Sequence, residues 1–471
     1  YEINIGDWSS DVCSSDLDAI VMKSIINILS LFITSFAMAN IHLPAIFADG
    51  MVLQRNAEVT IWGNADPREE ITLKADFLDK EYKVKAANDA TFKITFKTPK
   101  EGGPYTISLK GYNEVSLKNV MLGEVWLMSG QSNMEMSAAW GIKDGDAEMA
   151  KANYPNIRFF TARKSSAEFP QKDIIGNWAT CTPETAKNFS AVGYFFAQRL
   201  QNELGNVPVG IICSAWGGSA AELWTPKAAF EENPFLLENF KKLQTSENEY
   251  YPTRISAAYN AMIAPINEYK IAGAAWYQGE TNTGNANSYE PLLTSMINSW
   301  RKAKGYEFPF YIIQLASYKG WGDSTAQIKN IQRKVSQSVP KSGLVVISDY
   351  SMIDDIHPKD KKPVGVRLAN LALTDVYKKN ETGNFPTWKS TEFKGNKAVL
   401  TLEFADGLHF KNKTSDQFEI AGADKKFVKA KAEIKGNQII VDAKEVKTPV
   451  FVRYNWSNEA FPDLYNKANL P

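Results

Sequence analysis

Hydrophobic positions along the chain follow two different periods, and the change between them divides the sequence. From residue 40 to about 118, short segments alternate apolar and polar residues and are separated by Gly and Pro turns, as in residues 59–62 and 105–109. Alternation with a period of two at this spacing predicts a small antiparallel sandwich. The same alternation returns in residues 399–404, 438–441 and 450–454, which predicts a second β module at the C-terminal end.

Between these modules, apolar runs alternate with stretches of helical spacing. The predicted strands are residues 120–128, 207–215, 271–277, 308–315 and 344–348, and the predicted helices include residues 192–200, 293–300, 328–335 and 363–376. Such alternation predicts an α/β fold whose parallel sheet is covered by helices on both faces. We therefore predict an N-terminal β domain over residues 40–118, an α/β domain over 119–380 and a C-terminal β domain over 381–471.

The segment 22–39 has the features of a signal peptide. Lys23 follows Met22, an apolar stretch runs from Ile25 to Phe36, and a small-x-small site ends at Ala39. This order predicts cleavage after Ala39 and export to the periplasm or the extracellular space, with no membrane span in the mature protein. Residues 1–21 resemble translated sequencing-adapter sequence, and we exclude them from fold reasoning as a non-native leader.

The composition argues against nucleic-acid binding, binding to anionic membranes and metal- or cofactor-dependent chemistry. Lys+Arg and Asp+Glu both number 53, and because no segment is strongly basic, we expect no nucleic-acid or anionic-membrane partner. The two cysteines of the predicted mature chain, Cys181 and Cys213, form no metal-binding spacing, and the sequence leaves open whether they are bonded. Without H-E-x-x-H or P-loop motifs, we expect chemistry that uses no metal and no cofactor. The number of subunits also stays open.

Polar, Gly-rich turns follow the predicted strands. They are Gly130-Gln131-Ser132-Asn133, Trp216-Gly217-Gly218-Ser219, Gln278-Gly279-Glu280-Thr281-Asn282 and Asp354-Asp355-Ile356-His357-Pro358. In open parallel sheets, ligands bind outside the carboxyl ends of the strands. These turns should therefore converge on one edge and bring a serine, an asparagine and a histidine together. That combination predicts a hydrolytic site with Ser132 as the nucleophile.

A serine nucleophile needs a base, most often histidine, and the chain has three: His42, His357 and His409. His42 precedes the first strand, where we expect a structural role. His409 lies in a D-x-x-H string that belongs to the C-terminal module. His357 follows the last strand of the parallel sheet, and we therefore predict that it is the base. Either Asp354 or Asp355 would orient it, and the residues themselves do not decide between the two.

Hydrogen-bond donors for an oxyanion come from the same turns. We expect the side-chain N–H of Asn282, together with the backbone N–H groups of Ser132 and of Gly217 or Gly218, to serve this purpose. The glycine pair also suits a tight strand-to-helix turn. The aromatic residues near these turns form either a sugar-stacking wall or part of the core; they are Trp140, Trp216, Trp224, Trp276 and Tyr277.

With these motifs assembled, the chain resembles the sialate O-acetylesterase group of SGNH hydrolases. The four turns above match the group's blocks in order, and the likeness extends to residues 47–63 and 453–457. The resemblance implies a flavodoxin-like SGNH sheet, Ser132 as nucleophile, His357 as base, and oxyanion donors from Ser132, Gly217 and Asn282. The broad SGNH pattern places the acid at Asp354, the narrower group places it at Asp355, and a Ser-His dyad is a third option.

The expected function is that of an exported serine esterase that removes O-acetyl groups from carbohydrates, foremost 9-O-acetylated sialic acids. We expect its acetylated substrate to contact further residues of the matching blocks, namely Gln131, Trp216, Gln278 and Glu280. An esterase acting on acetylxylan or another plant glycan is the nearest alternative. A non-catalytic carbohydrate-binding protein is an alternative of another class, although binding alone does not require Ser132, Asn282 and His357 together.

Overall fold

The computed structural model describes residues 40–243, 249–379 and 382–471. The expected leader and signal peptide, residues 1–39, lie outside this range. Within the described residues, no helix combines the length and the apolar character needed to cross a membrane.

The strands of the N-terminal region contribute buried side chains to a core that continues into the α/β region. They are β1 (Val52–Gln54), β2 (Glu58–Asn64), β3 (Glu70–Ala75), β4 (Tyr82–Lys85), β5 (Thr91–Lys97) and β6 (Gly102–Lys110). β2 alternates buried and half-buried side chains and pairs antiparallel with β5 along its full length. β3 pairs with β4 and β6, as the period of two predicts for an antiparallel sheet with one buried face.

Strand β7 (Glu114–Gly130) connects this region to the parallel sheet. Its first part pairs antiparallel with β6, and from residue 120 onward every residue is buried. The predicted domain boundary between residues 118 and 119 falls inside this strand. Because both faces of its second half are covered, the strand is a continuous apolar run rather than an alternating one.

The parallel sheet has the order β13-β12-β11-β7-β10-β8-β9. Its further strands are β8 (Tyr154–Ala162), β9 (Gly176–Cys181), β10 (Val209–Ala215), β11 (Gly273–Tyr277), β12 (Phe310–Ile313) and β13 (Ser342–Val345). Neighbours are parallel except for the β8–β9 pair, which is antiparallel. The five predicted strands of this sheet are present with shifted ends, and β8 and β9 are additional.

Helices cover both faces of this sheet, which confirms the predicted fold class. They are α1 (Ser132–Glu135), α2 (Gly145–Met149), α3 (Pro183–Asn188), α4 (Ala191–Glu203), α5 (Lys227–Glu232), α6 (Pro234–Leu243), α7 (Ala257–Met262), α8 (Ala286–Lys304), α9 (Ser324–Ser338) and α10 (Lys361–Asp375). Val125 and Leu127 face the core that contains α8, whereas Trp126 and Met128 face the core that contains α4 and α10. Successive side chains of one strand therefore fill two separate cores.

The C-terminal region forms antiparallel sheets around a third core. Its strands are β14 (Thr387–Lys394), β15 (Lys397–Glu403), β16 (His409–Phe410), β17 (Phe418–Ala421), β18 (Val428–Lys429), β19 (Lys431–Lys435), β20 (Gln438–Asp442), β21 (Phe451–Tyr454) and β22 (Leu464–Tyr465). Their orders are β14-β15-β20-β19, β18-β17-β21 and β16-β22. The three strands predicted here from alternation correspond to β15, β20 and β21.

Candidate active site

The register of the central strands brings the polar turns to one edge. Gly130 at the end of β7 lies beside Ala215 at the end of β10 and beside Tyr277 at the end of β11. A Cβ atom at Gly130 would lie 2.2 Å from the carbonyl oxygen of Tyr277, so only glycine lets the strands end this close together. The chain then turns at Gln131 into helix α1, whose first residue is Ser132.

Ser132 and His357 meet at this edge. His357 lies in the loop between β13 and α10, and its Nε2 is 2.8 Å from Oγ of Ser132. Ser132 is 9% exposed and His357 is half-buried, so the pair lies at the surface of the sheet edge rather than inside the core. The two residues that the sequence selected are thus brought within hydrogen-bond distance, although they are 225 positions apart in the chain.

The surroundings of His357 favour the neutral imidazole. Burial lowers the pKa of His357 below its ordinary value, and the positive charges of Lys361 and Lys359 lower it further, while the Asp355 carboxylate opposes them. A neutral ring with Nε2 next to a hydroxyl can accept the hydroxyl proton. At neutral pH this geometry can therefore activate Ser132 for attack on a carbonyl carbon.

Asp355 supports the histidine loop through the backbone. Its Oδ1 accepts a hydrogen bond of 2.8 Å from the backbone N–H of His357, and Oδ2 lies 3.4 Å from Nζ of Lys359. Burial raises the pKa of Asp355, but this hydrogen bond and the charge of Lys359 outweigh it and leave the pKa lowered. In the described part of the chain, no carboxylate is recorded in a hydrogen bond with Nδ1 of His357.

Asp354 faces another direction. Its side chain is 80% exposed and forms an ion pair with Lys319. No hydrogen bond between Asp354 and His357 is recorded among the described residues. Of the two candidate acids, the structure therefore brings Asp355 next to the histidine and leaves Asp354 in solvent, contrary to the placement that the broad SGNH pattern implies.

Asn282 is fully buried and is held by three partners. Its Oδ1 accepts hydrogen bonds from Nε2 of Gln278 at 2.7 Å and from the backbone N–H of Ala221 at 3.0 Å. Its Nδ2 donates to Oε2 of Glu222 at 2.8 Å. An amide nitrogen carries two hydrogens, so one remains for another acceptor. The orientation of Asn282 is therefore set before any ligand binds.

The two glycines after β10 have different roles: Gly217 lies next to Ser132, and Gly218 forms a turn. A Cβ atom at Gly217 would lie 3.3 Å from Cβ of Ser132, so Gly217 is next to the serine. Its backbone N–H, however, donates to Oε2 of Glu135 at 2.8 Å, and Glu135 also contacts Lys164 at 2.6 Å. The expected oxyanion donor at Gly217 is thus engaged by a carboxylate. Gly218 has a φ of +77°, a conformation that suits the tight turn expected from the two consecutive glycines.

Comparison with known proteins adds the family. The model of the family described as "Carbohydrate esterase, sialic acid-specific acetylesterase" matches residues 122–374, which include all four polar turns. The chain belongs to this family. It is therefore a carboxylic ester hydrolase of the carbohydrate acetylesterase class, as the four turns in order predicted.

Relatives of this esterase cover most of its length. The sialate O-acetylesterase of Homo sapiens is 28% identical over an alignment of 413 positions, which covers 79% of this chain and 78% of the relative. That of Mus musculus is 26% identical over an alignment of 476 positions, gaps included, which covers 86% of this chain and 88% of the relative. Among solved structures, a carbohydrate acetylesterase from Xanthomonas citri superposes with a TM-score of 0.83 at 35% identity, covering 92% of this chain and 98% of that one.

Three residues that we expected to contact substrate are buried in the esterase instead. Gln131 is 3% exposed, and its Oε1 accepts from the backbone N–H groups of Gly279 and Thr281. Gln278 is fully buried and donates to Asn282, and Glu280 is 3% exposed and accepts from Asn133. These side chains join the turns to one another through these hydrogen bonds.

The aromatic residues divide between the core of the esterase and the rim of its site. Trp224, Trp276 and Tyr277 are fully buried. Trp216 is half-buried, and its Nε1 donates to the carbonyl of Tyr250 at 2.7 Å. Trp140 is 45% exposed, and its ring centroid lies 6.4 Å from that of His357. Trp140 therefore offers an exposed aromatic side chain near the histidine that is the candidate base.

Two residues that the sequence reasoning did not single out complete the site of the esterase. Nδ2 of Asn133 donates to Oε1 of Glu280 at 2.5 Å and to the carbonyl of Ile356 at 3.0 Å. Lys361, which is 1% exposed, donates from Nζ to Oδ1 of Asn133 at 2.6 Å. A lysine in the polar segment after His357 looks like a solvated charge, so its burial had no signal in the sequence.

The cysteines of the described chain are unbonded. Cys181 and Cys213 are both buried and free, and burial raises the pKa of each thiol to about 12. Neither is therefore a reactive thiolate at neutral pH. Within residues 40–243, 249–379 and 382–471, no group of three or more His, Cys, Asp or Glu side chains is placed to hold a metal ion.

Proposed function

We propose that Ser132 and His357 carry out the ester hydrolysis, with the oxyanion held by Ser132 and Asn282. The single observation that carries this proposal is the 2.8 Å contact between Nε2 of His357 and Oγ of Ser132 at the carboxyl edge of the sheet. The lowered pKa of His357 supports it, because a base must be unprotonated to act.

Acylation begins when Oγ of Ser132 attacks the acetyl carbonyl carbon and its proton moves to Nε2 of His357. The carbonyl oxygen becomes an oxyanion, which accepts hydrogen bonds from the backbone N–H of Ser132 and the second amide hydrogen of Asn282. The first N–H groups of a helix have no intrahelical acceptor, so that of Ser132 is available. Collapse breaks the ester C–O bond, and His357 returns the proton to the departing sugar oxygen.

Deacylation repeats these steps with water. His357 takes a proton from the water as its oxygen attacks the acetyl-serine carbonyl, the same donors hold the second oxyanion, and acetate leaves as Ser132 regains its proton. All proton transfers run through His357, so the scheme requires no metal or cofactor. The backbone N–H of Gly217 can donate to the oxyanion only if the Glu135 carboxylate moves away from it. The ion pair with Lys164 would still stabilise the Glu135 carboxylate in that case.

Asp355 acts in this scheme mainly through its charge and its hold on the loop. Its carboxylate raises the pKa of His357 against the effect of burial, which stabilises the imidazolium formed during attack. Because its recorded hydrogen bond is to the backbone rather than the ring, the arrangement is a Ser-His dyad with a supporting carboxylate.

The proposed substrates are 9-O-acetylated sialic acids. The family description and the two mammalian relatives named sialate O-acetylesterase support this choice. The exposed ring of Trp140 near His357 gives a sugar ring an apolar surface to contact. An acetylated plant glycan is the second candidate, since the Xanthomonas citri relative at 35% identity is described as a carbohydrate acetylesterase without a named sugar.

The test compares wild type with Ser132→Ala, each starting at Asn40. Acetate release is measured from p-nitrophenyl acetate, a 9-O-acetylated sialoside and acetylated xylan, with folding checked by circular dichroism. We expect wild type to turn over the sialoside with a higher kcat/KM than xylan, and the variant to fall to background on all three. Equal activity in both proteins rejects the Ser132 mechanism. No turnover in either protein favours the carbohydrate-binding alternative.

Export is part of the proposal, and it rests on the basic, apolar and small-x-small order of residues 22–39. N-terminal sequencing of the protein recovered outside the cytoplasm should begin at Asn40. Recovery of the uncleaved chain from the cytoplasm would contradict export.

A further inference from the structure

A buried lysine lies beside the proposed Ser-His pair without entering the scheme above. Lys361 is the first residue of α10 and is 1% exposed. Its Nζ is 2.6 Å from Oδ1 of Asn133 and 5.3 Å from the ring centroid of Tyr277. Lysine side chains are almost never fully buried unless they are paired, so a lysine in this position needs a specific partner.

The partner, Asn133, joins the two halves of the site. It directly follows Ser132 in the chain, and its Nδ2 donates to the carbonyl of Ile356, which directly precedes His357. The same nitrogen donates to Oε1 of Glu280 at 2.5 Å. One amide therefore connects the serine turn, the histidine loop and a buried carboxylate, and Lys361 takes up the oxygen of that amide.

We propose that Lys361 is a positioning residue for ester hydrolysis: through Asn133 it holds the Ser132 turn against the His357 loop, and its charge opposes protonation of the imidazole. This inference rests on the proposed roles of Ser132 and His357. In this inference, the first residue of α10 keeps Ser132 and His357 in position relative to each other.

The charges around the pair agree with this role. Lys361 faces His357 from α10, and Asp355 and Lys359 face it from its own loop. Burial lowers the pKa of Lys361 to about 7, against the opposing effect of the Glu280 carboxylate. A protonated Lys361 opposes the gain of a second positive charge on the imidazole of His357.

The decisive variant is Lys361→Met, which keeps the length of the side chain and removes its charge and donors. Its matched control is Lys362→Met, because Lys362 is the next residue of the same helix but is half exposed and bonded to Glu148. The pH profile of kcat/KM on p-nitrophenyl acetate is measured for wild type and both variants. We expect the acid limb of Lys361→Met to move up by about one pH unit, because a nearby like charge is lost. Its alkaline plateau should fall roughly tenfold in kcat with little change in KM.

The control should superimpose on wild type. A Lys361→Met profile with the wild-type midpoint overturns the proposal, whatever happens to its plateau, because loss of packing alone would not move the midpoint. If Lys361→Met does not fold, Lys361→Arg decides: it keeps the charge, so its acid limb should stay at or below the wild-type position. A limb that moves up in Lys361→Arg overturns the proposal.

Ser132→Ala in the same assay separates the two hypotheses. If it retains activity, the proposed function fails. If it is inactive while the Lys361→Met midpoint does not move, only the role of Lys361 fails.

Discussion

The chain contains two D-x-x-H segments, and their surroundings differ. Asp354 to His357 lies at the carboxyl edge of the parallel sheet, where Nε2 of the histidine is 2.8 Å from Ser132. Asp406 to His409 lies in the C-terminal region, where His409 is exposed and begins the short strand β16. Its Nδ1–H donates to the carbonyl of Gly407 at 3.0 Å, and its ring lies 6.2 Å from that of Tyr465.

The difference shows that the same D-x-x-H pattern can place a histidine in two very different environments, so the pattern alone does not identify a base. His357 is half-buried among Lys361, Lys359 and Asp355, and its pKa is lowered by burial. His409 pairs through its backbone with β22 and has solvent on its other side. The parallel sheet supplies what the two-stranded β16–β22 sheet lacks, namely loops from separate strands that meet at one edge.

Exchange of each histidine for alanine tests this comparison most strongly. His357→Ala should lower kcat by about 10⁴-fold or more, because Ser132 loses its proton acceptor. His409→Ala is the matched control and should keep wild-type kcat and KM on p-nitrophenyl acetate. A large loss in the control, with the fold intact, would move the base to the C-terminal region.

Removal of the proposed oxyanion donor should have the next largest effect. Asn282→Ala should lower kcat by about 10²- to 10³-fold, as a lost oxyanion donor typically does. Because Asn282 is buried and bonded to Gln278 and Glu222, thermal unfolding is measured alongside the kinetics. An unchanged kcat in a folded variant would remove Asn282 from the mechanism and leave the backbone donors alone.

The two aspartates of the first segment should differ from each other. Asp355→Asn should lower kcat by roughly tenfold, because the imidazolium formed during attack loses a nearby opposite charge. Asp354→Asn should have little effect, because Asp354 is exposed and contacts Lys319. If kcat falls more steeply in Asp354→Asn than in Asp355→Asn, the broad SGNH placement of the acid is correct.

The smallest expected effect is a shift in the pH at which kcat/KM falls to half its maximum. His357 must be neutral to act, so kcat/KM of wild type should fall as the pH drops through its pKa, with a midpoint below about 6.5. In Asp355→Asn the midpoint should move lower still, because the carboxylate that raises this pKa is gone. A midpoint that moves upward would show that another group governs the acid limb.

Most of the parallel sheet was predictable, because its inner strands are buried on both faces and stand out as apolar runs. Strands β8 and β9 were not predicted. β8 contains Pro155, Asn156 and Arg158, and its first residues are only partly buried, so neither a continuous apolar run nor a regular alternation marks it. Its pairing with β10 supplies the tertiary context that overrides this weak local pattern.

The candidate site was predictable in its main residues but not in their contacts. Scarcity of histidine and the order of the turns selected Ser132, Asn282 and His357. Nothing in the order of residues indicated that Glu135 would accept the N–H of Gly217, or that Gln278 and Glu280 would be buried. These contacts join segments that follow different strands, whose polar atoms approach within 3 Å of one another.

By itself, the sequence determined the fold class, the serine at the end of the first sheet strand and the histidine that follows the last one. The hydrophobic period indicates which residues are buried, and the chain order indicates which strand ends share an edge of the sheet. These two features suffice to predict the fold class and to select the serine and the histidine. Only the tertiary structure decided that Asp355 rather than Asp354 adjoins the histidine, that Gly217 is engaged by Glu135, and that Lys361 is buried against Asn133. The physical reason is that a hydrogen bond forms only when donor and acceptor are placed to within a few tenths of an ångström. The order of residues does not encode the positions of loops at that precision.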